Sequence, residues 1–205
     1  ANRLGASALM QGLADGYFVI PYTIGTFLSD EIRTPKIETD LPEFEEAEEK
    51  TRQRLEKLLN VQGSKSVEHF HRELGKLLWE RCGMSRSAEG LKQGIEEIRE
   101  LRESFWNEVR VPGTNDEFNP ELEKATRVAD FMEMGELMMI DALDRDESCG
   151  GHFREEYQTE DGEALRKDDE YTYVAAWAWD ENGDHQLYKE DLEFDNVELK
   201  TRSYK

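Results

Sequence analysis

From Pro42 to Leu143 apolar residues return every three or four positions, the spacing of one buried helix face. Four helical patterns succeed one another. The first opens near Pro42, whose ring suits a first turn, with Glu43, Glu45 and Glu46 at the positive end of the dipole. Its apolar face is Phe44, Ala47, Leu55, Leu58 and Leu59. The second carries Val67, Phe70, Leu74, Leu77 and Leu78 and ends near Gly83. The third carries Leu91, Ile95, Ile98, Phe105 and Val109 and stops at Pro112-Gly113. The fourth starts at Asn119-Pro120, a cap followed by proline at the first helical position, and runs through Leu122, Ala125, Val128, Met132, Met139 and Leu143. Short joins between these patterns predict antiparallel neighbours in a bundle. After Ser148 the period changes to two. Tyr171, Tyr173, Ala175, Trp177 and Trp179 alternate with Thr172, Val174, Ala176 and Ala178, which predicts a strand. A turn over Asp180 to Asp184 and a return strand over His185 to Lys189 complete a hairpin, and Leu192 to Leu199 offers one more strand.

The pattern ahead of Pro42 differs. Small residues dominate Gly5 to Gly16, where Ala6, Ala8, Leu9, Leu13 and Ala14 make a tightly packing helix face. Pro21 and Gly25 are expected to kink or interrupt the chain beyond that face. Thr34 to Pro42 reads as an extended linker. The chain is therefore expected to divide at 1–33, 34–147 and 148–205. GYFVIPYTIGTFL is the most apolar run, and it is too short for a membrane span of ~18–20 residues.

Composition narrows the partners. The 205 residues hold 47 acidic side chains against 26 Lys and Arg, a formal charge of −21. That argues against nucleic acid and anionic lipid as partners, which need a basic surface. Between Asp144 and Glu198 there are 19 acids and 5 Lys or Arg, so −14 of the charge sits there. A solvated acidic surface is the plainest explanation, beside a saline habitat or a basic partner. The 2 cysteines lie far apart and give no disulfide framework, which fits a reducing compartment.

Most chemical constellations are weak. His69 and His71 point about 200° apart on a helix and cannot share an ion. Cys149-x-x-His152 has ligand spacing without a second pair. Met132, Met134, Met138 and Met139 read as core filling. Neither G-x-G-x-x-G nor G-x-x-x-x-G-K occurs. The opening Asn2-Arg3-Leu4-Gly5 is more suggestive, because Arg3 stands beside a helix start built of small residues. Such a start exposes N–H groups and partial positive charge, and Arg offers a fork for a carboxylate. On physics alone, close helix packing and a surface charge explain these residues better than an anion site does.

A family resemblance changes that balance. ANRLGASAL resembles the ANRLG-S-N-S-L element of the succinate dehydrogenase and fumarate reductase flavoprotein subunit. RDESCGGHFREE, Arg145 to Glu156, resembles the family's R-x-E-S-R-G-A-H-x-R segment, and Arg166 to Glu170 resembles the R-D-D-E that comes after it. LEFDNVELKTRSYK is similar to the family's last strand and basic-aromatic end. The resemblance spans the chain in order.

The resemblance implies a mainly α fold: the last helix of an FAD-binding domain, an antiparallel helical bundle as C-terminal helical domain, then a small β-containing segment. It implies an oxidoreductase subunit, membrane-associated and part of the tricarboxylic acid cycle and electron transport, that interconverts succinate and fumarate through FAD. It implies partners too, an iron–sulfur subunit and a membrane anchor that hold it on the cytoplasmic face of the inner membrane. The chain is expected to be the C-terminal part of the subunit, with the dinucleotide-binding strand, the flavin-attaching His, the capping domain and the proton-donating Arg upstream. No catalytic residue and no metal site is then expected within it. Arg3 corresponds to the Arg that holds a substrate carboxylate, and Ala8 and Leu9 to residues whose backbone meets FAD. Three departures stand out. Ala6-Ser7-Ala8 replaces Ser-Asn-Ser, so a hydroxyl contact from position 8 is lost. Cys149 stands where Arg is usual, and Gly151 where Ala is. His152 and Arg154 are kept, and ordering of the segment is the role expected of them. L-aspartate oxidase shares the N-R-L and E-S-R-G-x-H elements and is the nearest alternative, with Gly5 favouring the dehydrogenase. The alternative from another class is a non-catalytic acidic helical interaction module.

Overall fold

The computed structural model describes residues 7–179, 185–196 and 198–200. An N-terminal helical stretch comprises α1 (Ser7–Ala14), a π-helical turn (Asp15–Val19) and α2 (Ile20–Phe27). The π turn explains how Pro21 is accommodated. Proline has no N–H for the carbonyl four residues back, and its ring crowds that carbonyl. Just ahead of it the Ile20 N–H reaches back to Asp15 O, a five-residue span that widens the helix. Gly25 lies inside α2 and interrupts nothing.

The chain divides into two compact units, Ala1–Val67 with Trp106–Thr126 and Glu68–Phe105 with Arg127–Lys205. In the first, residues 34–38 have no regular structure and α3 (Pro42–Asn60) opens with proline in its first turn. Its apolar face is covered at Leu58, whereas Phe44 stays 46% exposed. β1 (Lys65–Ser66) runs parallel to β2 (Val109–Arg110). Val109, read from periodicity as helical, opens β2 instead. Val-Arg-Val before Pro112 favours extended backbone, through β-branching and through the restriction proline places on its predecessor. Gly63 permits the close approach here, since a Cβ on it would stand 1.8 Å from the Glu108 carbonyl oxygen. The start of α6 (Pro120–Asp144) is fixed by Asn119, whose Oδ1 accepts the Glu121 and Leu122 N–H groups, each at 3.1 Å.

In the second unit three helices run up, down and up: α4 (Val67–Cys82), α5 (Ala88–Glu108) and α6. Phe70 of α4 meets Phe105 of α5 edge to face at 5.2 Å, while Arg81 meets Glu97 at 2.6 Å, so α4 and α5 are antiparallel. Cβ positions built on Gly94 and Gly135 would touch Met139 Sδ at 2.6 Å and Ile98 Cδ1 at 2.9 Å, so α5 and α6 are antiparallel too. Phe70, Leu74, Leu91, Ile98, Phe105, Met132 and Met139 form the core, and Met134 and Met138 are exposed. Glu136 is buried on α6 and receives Arg99 Nε at 2.7 Å and Arg102 Nη1 at 2.6 Å from α5. After α6 come the short α7 (Asp168–Tyr171), β3 (Tyr173–Trp179) and β4 (His185–Asp191). β3 and β4 pair antiparallel with Ala176 opposite Tyr188. Tyr171, placed in the strand by its period-two pattern, belongs to α7. The turn expected at 180–184 lies outside the described residues. Among the described residues of 192–200 there is no strand. The mainly α fold expected from the sequence, with antiparallel helices and a small β-containing end, is thus the one observed, but α3 belongs to the first unit and only α4, α5 and α6 pack together in the second.

Candidate functional site

Two regions carry the residues singled out by motif. The first is the N-terminal helix. Arg3 lies outside the described residues. Ala8 and Leu9 fall in the opening turn of α1, and Leu9 is 74% exposed. An opening turn presents N–H groups without intrahelical acceptors. A Cβ added at Gly12 or Gly16 would meet nothing within 4 Å. Leu9, Met10, Leu13, Tyr17, Phe18 and Phe27 are exposed around the whole helix. A helix apolar all round belongs in the interior of a larger body.

The second region lies beyond α6, within the second unit. Arg154 is only 2% exposed. Its Nη1 donates to the carbonyls of Ala142 at 2.9 Å and of Leu143 and Arg145 at 3.4 Å each. The first two are orphan carbonyls of the last turn of α6 and the third lies one residue beyond it, where the dipole also favours a cation. Its Nε binds Glu156 Oε2 at 3.1 Å, and Glu156 Oε1 accepts the Ala88 N–H at 2.6 Å. Ala88 opens α5, so one Arg–Glu pair closes the end of one helix and the start of another. Burial pushes the Glu156 carboxyl up, but the Ala88 N–H and Arg154 outweigh it, and its pKa ends below the usual range. Ser148 locks the same strand of chain. Its hydroxyl accepts from Arg154 N–H at 2.8 Å and donates to Arg154 O at 3.1 Å. Glu147, buried, takes Arg145 Nη1 at 2.9 Å and the Lys167 N–H at 3.0 Å. Arg166 binds Asp168 at 2.8 Å through Nε and Lys200 O at 3.1 Å through Nη1. The three C-terminal motifs are therefore stitched to one another.

Cys149 and His152 form a two-residue hairpin, with Cys149 N to His152 O at 2.8 Å and the return bond at 3.0 Å. Gly150 supplies the φ of +60° that such a turn needs at its first central position. The spacing that resembled a metal pair is thus turn geometry. Among the described residues no three His, Cys, Asp or Glu side chains gather as metal ligands. Burial raises the Cys149 thiol above its ordinary pKa. His152 Nε2 faces Arg145 O at 2.9 Å and Nδ1 faces Arg86 Nη1 at 3.0 Å. Only one tautomer satisfies both: the proton sits on Nε2, and Nδ1 accepts from the guanidinium.

A family model described as fumarate reductase flavoprotein C-term matches residues 71–204. The chain belongs to this family. Among curated relatives, the fumarate reductase flavoprotein subunit of Proteus vulgaris is 32% identical over 100 residues, 49% of this chain and 17% of that protein. The succinate dehydrogenase flavoprotein subunit of Coxiella burnetii is 28% identical over 162 residues, 78% of this chain and 26% of that protein. A solved quinol-fumarate reductase with menaquinol molecules superposes with a TM-score of 0.67 at 25% identity, covering 82% of this chain and 28% of that one. The chain thus spans about a sixth to a quarter of the curated relatives it matches.

Within the family segment, the structure brings together Arg145, Glu147, His152, Arg154 and Glu156, and gives the kept His and Arg a positioning role. Sequence reading missed Arg86 and Glu136. Arg86 stands 66 residues from His152, and its only local signal is Ser87, whose Oγ accepts the Gly90 N–H at 3.1 Å as a helix cap. Glu136 looked like one more surface acid on an acidic helix.

Proposed function

We propose that this chain is the C-terminal part of the FAD-containing subunit of a succinate dehydrogenase or fumarate reductase, acting on a dicarboxylate. The observation that carries the reading is the family match over residues 71–204, preceded by ANRLGASAL in the order the family has it. Residues 1–33 would complete an FAD-binding domain, 34–147 the helical domain and 148–205 the strand-containing end. The exposed apolar turns of α1 and α2 support a larger body around them.

FAD, when bound, supplies hydride acceptance from succinate or donation to fumarate. This chain's own residues position the reaction. Arg3 holds one carboxylate in bidentate fashion and so fixes the carbon that exchanges hydride. The amides of Ala8 and Leu9, at a helix N-terminus, would face the FAD and favour negative charge there. The 145–156 segment keeps the ends of α5 and α6 fixed. An iron–sulfur subunit would take up the electrons, and the anchor would hold the complex at the inner face of the cell membrane. No helix among the described residues is long and apolar enough to cross a membrane, in keeping with attachment through partners.

Arg3→Ala in the full-length protein tests the substrate role. Losing a charged bidentate contact to a buried carboxylate costs on the order of 2–5 kcal/mol, tens to thousands of fold in succinate oxidation. Unchanged turnover would remove Arg3 from the site. The isolated 205 residues are expected to hold no stoichiometric FAD, and copurified flavin would contradict that.

A further inference from the structure

We infer that His152 is an acid-released latch, a neutral hydrogen-bond bridge that clips the loop between α4 and α5 to the carboxyl end of α6. The bridge has two arms. Arg86 of that loop donates to Nδ1 at 3.0 Å, and Nε2 donates to Arg145 O, one residue beyond α6, at 2.9 Å. Backbone bonds run alongside, Arg86 N to Phe153 O at 3.0 Å and Glu155 N to Arg86 O at 2.8 Å. Ser85 Oγ adds a bond to Glu155 at 2.7 Å. The loop is therefore held by a short ladder with one half-buried side-chain clip at its root.

Protonation destroys the clip. A proton on Nδ1 sets an N–H against the Arg86 N–H and brings two positive charges to hydrogen-bond distance. The groups around the ring reinforce this. Arg86 comes from the loop, Arg145 from the end of α6 and Arg154 from the segment itself. The nearby acids are already engaged: Glu147 by Arg145, Glu156 by Arg154 and the Ala88 N–H, and Asp146 by Arg154 at 3.6 Å. Cys149, across the turn, is a thiol held neutral. Burial first, and the arginines after it, hold His152 below the ordinary histidine value, although its bond to Arg145 O works the other way. The unfolded or opened segment takes a proton near the usual value of ~6.5, and the closed one resists until lower pH. Closure is thus fully stable above ~6.5 and is withdrawn as pH falls through the closed-state value. Each pH unit separating the two values shifts the opening equilibrium about tenfold.

Hydrogen exchange on the full-length protein at about pH 7.5 and about pH 5, corrected for intrinsic exchange, reads this directly. Peptides covering 83–88 and 152–157 should lose protection in acid, by at most roughly thirtyfold at pH 5 for an open-state value of ~6.5, while the α5 core peptides around Ile98 keep theirs. His152→Gln keeps both arms, with the amide oxygen facing Arg86 and the amide nitrogen facing Arg145 O, but cannot titrate. It should abolish the acid response. Arg86→Gln removes the opposing cation, brings the closed-state value nearer the open-state one and should shrink the acid response, which keeps the test open should His152→Gln fail to fold. Equal protection at both pH values, an acid response that persists in His152→Gln, or an undiminished acid response in Arg86→Gln would each overturn the latch.

Discussion

Arg154 shows how much one side chain of the family segment carries. It is buried, it binds three carbonyls at the end of α6, and it holds the Glu156 that caps α5. Arg154→Ala takes the guanidinium from the Ala142 and Leu143 carbonyls and from Glu156, so unfolding free energy should fall by about 1.5–3 kcal/mol. Arg154→Lys should recover little, because an ammonium cannot reach helix end and carboxylate together. Denaturant melts of the three proteins decide this, and an Ala variant as stable as the parent would contradict it. The sequence showed that Arg154 and His152 were kept from the family pattern. It could not show why, because their partners on α6 and in the α4–α5 loop are set by tertiary packing.

At the scale of elements, glycine positions separate tight approaches from open ones. A Cβ on Gly94 would stand 2.8 Å from Arg81 Cβ, an atom that cannot swing away. Gly94→Ala should therefore cost ~1–3 kcal/mol. Gly75, on the same bundle's exposed surface, has nothing within 4 Å of the added Cβ. Gly75→Ala should instead stabilise by roughly 0.5–1 kcal/mol, through helix propensity. Thermal melts giving the two changes the same sign would refute the packing described for α4 and α5. Asn119→Ala, at a cap with two N–H contacts, should cost ~1 kcal/mol. The helices from Pro42 to Asp144 were legible because periodicity, Asn119-Pro120 and Pro42 all pointed the same way. Periodicity failed at Val109, where it could not tell a last helical turn from a short buried strand. It also failed among the described residues of 192–199, where alternation does not make a strand.

The whole molecule joins a strongly acidic surface to one helical stretch with almost no charge. From Leu9 to Leu28 large apolar side chains are exposed between 46% and 81%. Uncovered surface of that kind drives association. The isolated 205 residues should self-associate, and removing residues 1–33 should shift them towards monomer in analytical ultracentrifugation. With no dinucleotide motif beside it, this apolar stretch was the part of the sequence that physics alone read least well. Close packing and ligand binding both use small residues, and only the order of motifs along the chain separated them. The most direct measurement is made on the full-length gene product: its FAD content, and its reduction of an artificial dye with succinate, with aspartate as the competing substrate. Bound flavin with succinate-dependent reduction is the predicted result. Flavin with aspartate activity alone would place the protein with the oxidases, and no flavin at all would contradict the account.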